Sequence, residues 1–337
     1  MKHFLASAQA VACLGLLVNL GAASPSFNSK HIPPVVIFGD SYTDQRVYQY
    51  RPGSDGEVAK PANVTSTGGR VWPEYVHQYS KAAVYDYAVS GAVCDSNFAS
   101  SPRNGVKQAQ IPAFLEDQDY FRTHDPAKFL GHNPDAVYAI WIGTNDIGNG
   151  VFFTDSQPAG LSLTSYVDCV FEQLDRLYAV GARKFVLMNI APLELSPQYA
   201  TPQNGGVERP RYWPDKTSYN SNLTQISEKM RQYSTLINDI YRFQIPFELE
   251  VHRRYRGSHF ALFDVHSLLS DVWHHPSVYL NGSAPLNVTG FAADTPPGNW
   301  DSFMWYDELH PSEQTDRVIA KQFVEVLAGR SEWTTYW

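Results

Sequence analysis

Short apolar runs alternate with segments of helical spacing along most of this chain. The apolar runs cover residues 35–38, 83–87, 136–142, 184–188 and 259–265. Several of them are continuous rather than alternating, which is typical of parallel strands covered on both faces. Apolar residues recur at helical spacing in 71–79, 110–121, 166–180, 223–245 and 313–327, and Ser312 is placed to cap the last of these. The alternation predicts an α/β fold of three layers (α/β/α), with a doubly wound parallel sheet of about five strands.

Two segments interrupt this alternation. Residues 192–215 and 275–305 are long, rich in Pro, Gly and Asn, and contain several aromatic residues. Loops of this length are usually functional or mobile. Their aromatic side chains either pin the loops down or face a ligand, and the sequence leaves both readings open. Because no linker, repeat or low-complexity tract is present, we expect one domain over residues 24–337.

The first 23 residues are predicted to be a secretory signal peptide. Lys2 and His3 form a weakly basic start, residues 4–20 are mostly apolar, and Gly21 to Ser24 are small residues suited to cleavage. The alternative is an uncleaved membrane anchor. We expect a secreted, extracellular protein without stable membrane insertion. Sequons that could carry glycans in such a protein begin at Asn63, Asn222, Asn281 and Asn287.

Net charge and cysteine content limit which partners, cofactors and cross-links the protein can have. The net charge of −8 and the lack of a Lys/Arg cluster argue against nucleic acid as a partner. Cys94 and Cys169 lie outside the predicted signal, and they could form one disulfide in an oxidising compartment or remain two separate buried thiols. No His-Glu-x-x-His motif, paired cysteine cluster or Gly-rich phosphate loop occurs, so we expect neither a metal nor another cofactor. We expect a monomer, although the sequence leaves the oligomeric state open.

Polar residues follow the first three predicted strands. Ser41 comes directly after the first strand, Gly91 after the second and Asn145 after the third. The carboxyl ends of parallel strands meet at one edge of a sheet, where ligands bind in open α/β folds. Asp307 and His310, near the C-terminus, lie on a segment that could reach the same edge.

These residue types are the ones that acyl transfer needs. The hydroxyl of Ser41 is a weak nucleophile unless a base such as His310 removes its proton, and Asp307 can orient that base. The backbone N–H groups of Ser41 and Gly91 and the side-chain amide of Asn145 are candidate donors for an oxyanion hole.

The two carboxylates that flank Ser41 allow another reading. Asp40 and Asp44 could be the acid and base of a glycosidase. We interpret them instead as acceptors of local hydrogen bonds that hold the serine turn.

Taken together, the blocks resemble those of the GDSL esterases, or SGNH hydrolase superfamily. The matching blocks are Phe38–Asp44, Ala88–Ala92, Ile142–Asp146 and Asp307–Pro311, in the family's order and over nearly all of the mature chain. The resemblance implies an SGNH-type, flavodoxin-like sheet and a serine esterase. Within the superfamily, the chain is most similar to secreted fungal acetylesterases of carbohydrate esterase family 16.

That resemblance implies removal of acetyl groups from hemicellulose-derived oligosaccharides, with a small acetylated carbohydrate or another ester as substrate. Trp72 and Trp141 are candidates for stacking on sugar faces. One alternative is a lipase, phospholipase or aryl-ester hydrolase of the same superfamily. An alternative of another class is a catalytically dead secreted binding protein, although the intact Ser41, Asp307 and His310 argue against it.

Overall fold

The fold is known from a computed structural model that describes residues 27, 32–54 and 56–337. The predicted signal peptide, residues 1–23, lies outside the described residues. The strands are β1 (Val35–Gly39), β2 (Val84–Asp86), β3 (Val137–Trp141), β4 (Lys184–Met188), β5 (His259–Phe263), β6 (Asn287–Phe291), β7 (Phe303–Trp305) and β8 (Thr334–Tyr336). The main sheet has the order β2-β1-β3-β4-β5-β8, and β6 pairs with β7 in a small second sheet.

The first five strands form a parallel sheet, which confirms the predicted fold class. The order β2-β1-β3-β4-β5 is the flavodoxin-like one, and all four pairings within it are parallel. The sixth strand, β8, pairs with β5 in the antiparallel sense. It was not predicted, because its three residues are Thr-Thr-Tyr and give no apolar run.

Helices cover the sheet on both faces. They are α1 (Trp72–Ser80), α2 (Ile111–His124), α3 (Leu163–Ala179), α4 (Lys216–Tyr219), α5 (Leu223–Pro246), α6 (Val265–His274), α7 (Pro276–Tyr279) and α8 (Glu313–Leu327). The chain moves from β1 to β2 in one direction along the sheet and from β3 to β5 in the other. Because such crossovers are right-handed, α1 lies on one face and α2, α3 and α5 on the opposite face. The final helix, α8, packs against α1 and completes that layer.

Element boundaries differ from the prediction where a capping residue ends a run. The apolar run 259–265 was predicted as one strand, but β5 ends at Phe263 and α6 begins at Val265. Asp264 separates the two, because its side chain accepts a hydrogen bond from the backbone N–H of Ser267 at 3.0 Å. At α8 the expected cap is confirmed, since the Ser312 hydroxyl accepts the N–H of Thr315 at 3.2 Å.

The two long segments contain short elements and are tied down by buried side chains. Residues 192–215 include 3₁₀ turns at Leu193–Leu195 and Pro202–Asn204, while 275–305 include α7, β6 and β7. The buried ammonium of Lys216 donates to the carbonyls of Gln198 at 2.6 Å and Val207 at 2.7 Å. Burial lowers the pKa of Lys216 to about 8. These contacts order the first segment against the body of the protein.

None of the helices within the described residues is both long and apolar enough to cross a bilayer.

Candidate active site

The serine turn is built by close packing at the end of β1. Gly39 permits this packing, because a Cβ there would lie 2.6 Å from the carbonyl oxygen of Trp141 on β3. The buried side-chain amide of Gln110 accepts from the N–H of Gly39 at 3.0 Å and donates to its carbonyl at 2.7 Å. The chain then turns, with an Asp40 carboxylate oxygen accepting the N–H of Tyr42 at 3.0 Å. Ser41 is therefore held at the carboxyl edge of the sheet.

Strand order brings the three predicted blocks together. Because β1 lies between β2 and β3, the turn that carries Ser41 lies between those that carry Gly91 and Asn145. All three residues line one cavity of about 350 Å³, together with His310. The site thus lies beside the point where strand order reverses, which is where open α/β sheets bind ligands.

Ser41, His310 and Asp307 are joined by a continuous chain of hydrogen bonds. The Oγ of Ser41 lies 2.8 Å from Nε2 of His310. On the other side of the ring, Nδ1 of His310 lies 2.9 Å from each carboxylate oxygen of Asp307. In this arrangement Nδ1–H donates to the carboxylate and Nε2 accepts the serine hydroxyl. The imidazole is thereby oriented for removing the serine proton.

The spacing of the Asp-x-x-His block follows from a local turn. One carboxylate oxygen of Asp307 also accepts the backbone N–H groups of Leu309 at 2.9 Å and His310 at 2.7 Å. The buried phenol of Tyr42 donates to the carbonyl of Leu309 at 2.6 Å and fastens the turn to the serine block. Burial alone would raise the pKa of Asp307, but the hydrogen bonds and charge of His310 lower it below its ordinary value. Asp307 is therefore ionised and able to stabilise an imidazolium.

Three donors are available for a tetrahedral oxyanion. Ser41 and Gly91 line the cavity, and neither backbone N–H donates to an acceptor among the described residues. Gly91 has a φ of 79°, which favours glycine at this position. The amide nitrogen of Asn145 donates to the carbonyl of Ala92 at 2.9 Å, which leaves its second N–H for a ligand.

The carboxylates that flank Ser41 have local structural partners. Asp44 accepts the backbone N–H of Ser90 at 2.8 Å and its hydroxyl at 2.7 Å, which joins the serine and glycine blocks. The buried Asp40 holds its own turn, and burial raises its pKa to about 6. Neither carboxylate lines the cavity, so the contacts favour the local role over a glycosidase pair.

Cys94 and Cys169 are joined by a disulfide. The bridge links the segment after Gly91 to α3. Beside it, Asp146 accepts the N–H of Cys94 at 2.8 Å, and burial raises the pKa of Asp146 to about 8. The bridge and this hydrogen bond together hold the glycine and asparagine blocks in register.

Tyr212 and Arg103 are among the cavity residues that the sequence did not predict. The phenol of Tyr212 donates to Asp307 at 2.9 Å, and its ring packs edge-on against His310 with 5.1 Å between centroids. Nη1 of Arg103 donates to the Asn145 side-chain oxygen at 3.4 Å, which turns the amide nitrogen away from the arginine. Both lie on loops without a motif, and an excess of loop aromatics was the only signal for Tyr212.

Replacing Tyr212 by Phe is expected to lower kcat about tenfold with little change in KM, since a hydrogen bond to a charged carboxylate contributes about 1.5–3 kcal/mol. The ring contact with His310 is kept, so only the orientation of Asp307 is weakened. Steady-state kinetics on p-nitrophenyl acetate measure the effect. The matched control is Tyr219→Phe, whose hydroxyl donates to the carbonyl of Phe153 instead. Equal losses in both variants would contradict the role of Tyr212.

The prediction that Trp72 and Trp141 stack on sugar faces is wrong. Trp72 is fully buried and donates its indole N–H to the Thr43 hydroxyl, while Trp141, 3% exposed, donates to the carbonyl of Asn189. Neither lines the cavity. Both faces of a parallel sheet are covered, so an aromatic at a strand end or on an inner helix face packs into the core.

The structure places the sequon asparagines at or near the surface. Asn63, Asn222 and Asn281 are exposed, and Asn287 is half-buried at the start of β6. Glycosylation at these positions stays a prediction. Among the described residues, no group of three or more His, Cys, Asp or Glu side chains is arranged to hold a metal ion.

Comparisons with known proteins show which chains this one is similar to. A family model described as GDSL-like lipase/acylhydrolase matches residues 35–323. An acetylesterase of Hypocrea jecorina is 37% identical over 325 residues, covering 90% of this chain and 91% of that protein. An acetylesterase of Thermothelomyces thermophilus is 24% identical and covers 94% of this chain and 96% of its own length. Among solved structures, Est24, a carbohydrate acetylesterase from Sinorhizobium meliloti, aligns with a TM-score of 0.41 and 12% identity, covering 88% of this chain and 98% of that one.

Proposed function

Since the chain belongs to the GDSL-like lipase/acylhydrolase family and is a carboxylic ester hydrolase, we propose that it hydrolyses acetyl esters through Ser41, His310 and Asp307. The observation that carries this proposal is the chain of hydrogen bonds from Ser41 to Asp307. The Ser41 hydroxyl lies 2.8 Å from Nε2 of His310, Nδ1 of His310 lies 2.9 Å from the Asp307 carboxylate, and Ser41 and His310 line the same cavity as the oxyanion donors. Nucleophile, base and oxyanion donors are the parts that acyl transfer requires.

In the first half-reaction Ser41 becomes acetylated. Nε2 of His310 takes the hydroxyl proton while Oγ attacks the ester carbonyl carbon, and the carbonyl oxygen becomes an oxyanion held by Ser41, Gly91 and Asn145. When this intermediate collapses, the bond between the carbonyl carbon and the alcohol oxygen breaks. His310 passes its proton to the departing alcohol, and Asp307 stabilises the transient imidazolium.

In the second half-reaction water releases the acetyl group. His310 removes a proton from the water, whose oxygen attacks the acetyl carbonyl carbon to give a second oxyanion. The bond to Oγ of Ser41 then breaks, and the proton returns from His310 to that oxygen. Acetic acid leaves and the resting hydroxyl is restored.

A short acyl group fits the lining of the cavity. The only aliphatic or tyrosine residues among its described lining residues are Leu309, Tyr199 and Tyr212, and the others are polar, charged or glycine. A lipase or phospholipase would need a longer apolar groove for its acyl chain. The acetylesterases of Hypocrea jecorina and Thermothelomyces thermophilus add support for an acetyl substrate.

Acyl-chain length is the decisive test of this proposal. Across p-nitrophenyl esters from acetate to dodecanoate, we expect kcat/KM to be highest for acetate and to fall at least about tenfold by octanoate, because a cavity lined mainly by polar residues and glycine offers a longer acyl chain few apolar contacts. The measurement is kcat/KM from initial rates at one pH, with each ester kept below its critical micelle concentration. Higher kcat/KM on the long esters would refute the acetylesterase assignment and favour the lipase alternative.

We propose, in addition, that the enzyme is secreted and glycosylated and acts on hemicellulose-derived oligosaccharides. The mostly apolar residues 4–20 and the four sequons support export. The Cys94–Cys169 bridge is of the kind that persists in oxidising compartments. After expression of the full chain in a eukaryotic host, N-terminal sequencing of protein from the medium should begin near Ser24, and retention of all product in the membrane fraction would contradict secretion.

A further inference from the structure

The catalytic cavity contains two arginines. Among the described residues that line it, the ionisable ones are Arg46, Arg103, Tyr199, Tyr212 and His310, and none is Asp or Glu. The chain as a whole carries a net charge of −8. Because arginine stays protonated at all relevant pH values, this cavity is a positively charged site in an acidic protein.

Neither arginine is neutralised by an ion pair within the described part of the chain. The exposed side chain of Arg46 makes no hydrogen bond or ion pair to a described residue. Arg103 donates only to neutral oxygens, on Gly91 at 3.5 Å and Asn145 at 3.4 Å, and its buried Nε has no partner there. Both guanidinium groups therefore keep their capacity to attract an anion.

Several carboxylates near the cavity do not line it and are engaged in other hydrogen bonds. Glu308, beside the lining residue Leu309, accepts the backbone N–H of Arg211 at 3.1 Å. Asp44 accepts from the N–H of Arg46 and from Ser90, and Asp307 accepts from His310 and Tyr212. Burial raises the pKa of Asp146 to about 8, so this group is mainly uncharged at pH 7. Asp40 holds the serine turn. None of them forms a direct contact that cancels the arginine charges on the cavity side.

Resting on the proposed acetyl-ester hydrolysis, we infer that the cavity prefers acetylated sugars that carry a carboxylate, and that Arg46 binds this carboxylate. The planar guanidinium fork matches a carboxylate with two parallel hydrogen bonds. Ser66 and Ser90 line the same cavity and can bind sugar hydroxyls beside it. Arg103, held against the oxyanion donor Asn145, adds positive charge but is a positioning residue. The leaving group is the deacetylated hexuronide, whose oxygen takes the proton from His310 to become a hydroxyl, and the two half-reactions are otherwise those given above.

The test compares two substrates of similar shape that differ mainly in charge. A mono-O-acetylated methyl hexuronide and its uronamide have nearly the same shape, but only the first carries a carboxylate. We expect the wild-type enzyme to show a kcat/KM about tenfold higher for the acid at low ionic strength, as one well-formed charged contact gives. This advantage should shrink as sodium chloride is raised, because salt screens exposed charges.

Variants assign the preference to one residue. Arg46→Gln should bring the acid-to-amide ratio close to one, while Arg46→Lys should keep part of it. The matched control is Arg122→Gln, which removes the same charge from a surface ion pair with Asp119 and should leave the ratio unchanged. A wild-type ratio of one or below, or a ratio that Arg46→Gln preserves, would overturn the inference while leaving acetyl-ester hydrolysis standing. If wild type cleaved neither the two sugar esters nor p-nitrophenyl acetate, the proposed function itself would be rejected.

Discussion

Replacing Ser41 by Ala is expected to lower kcat on p-nitrophenyl acetate by about 10⁵–10⁶-fold, because removal of the nucleophile abolishes the acyl-enzyme route. The fold should be unaffected. The only hydrogen bond that the Ser41 hydroxyl makes to a described residue is the one to His310, and alanine keeps the Cβ packing. Stopped assays over hours measure the residual rate, and thermal unfolding checks the fold.

A second cavity serine supplies the control for this prediction. The hydroxyl of Ser90 also lines the cavity but donates to Asp44, so Ser90→Ala should stay within about tenfold of wild type. Organophosphate labelling followed by intact-mass spectrometry adds a direct readout. Wild type and Ser90→Ala should take up one phosphoryl group, whereas Ser41→Ala should take up none. Retained turnover in Ser41→Ala would refute the nucleophile assignment.

The sequence predicted the parts of the site that local geometry enforces. Gly39 is needed because its Cα lies against the Trp141 carbonyl, and the Asp-x-x-His spacing follows from a turn in which Asp307 accepts two backbone N–H groups. Such constraints act over a few residues and are visible as motifs. The parallel order of the strands then places the motifs at one edge without further information.

The parts that were missed depend on contacts between distant segments. Tyr212 lies on a loop that distant residues hold in place. The amide of Asn149 donates to the carbonyl of Tyr212 at 3.0 Å, and the ammonium of Lys216 donates to two carbonyls of the same segment. Nothing in the local sequence around Tyr212 or Arg103 indicates this. The error at Trp72 and Trp141 has a related cause, because aromatic character does not tell whether a side chain faces the cavity or the core. Their burial follows from the two helix layers, which residue type alone does not report.

Removing the Cys94–Cys169 bridge is expected to lower the free energy of unfolding by about 4 kcal/mol, the chain-entropy value for closing a loop of this size. The two cysteines are 75 residues apart, so the reduced chain gains many unfolded conformations. In the double variant Cys94→Ala/Cys169→Ala, this corresponds to a fall in Tm of roughly 5–10 °C. Denaturant titration and calorimetry of the double variant and wild type measure the difference.

Reduction separates the effect of the bridge from that of the alanines. Dithiothreitol should bring the Tm of wild type down to that of the double variant and leave the variant unmoved. We expect kcat to change less than the free energy of unfolding, because the N–H of Cys94 still donates to Asp146 and the helix layers still hold the loop that carries Gly91. If reduced wild type kept its full Tm, the prediction that the bridge stabilises the fold by restricting the unfolded chain would be refuted.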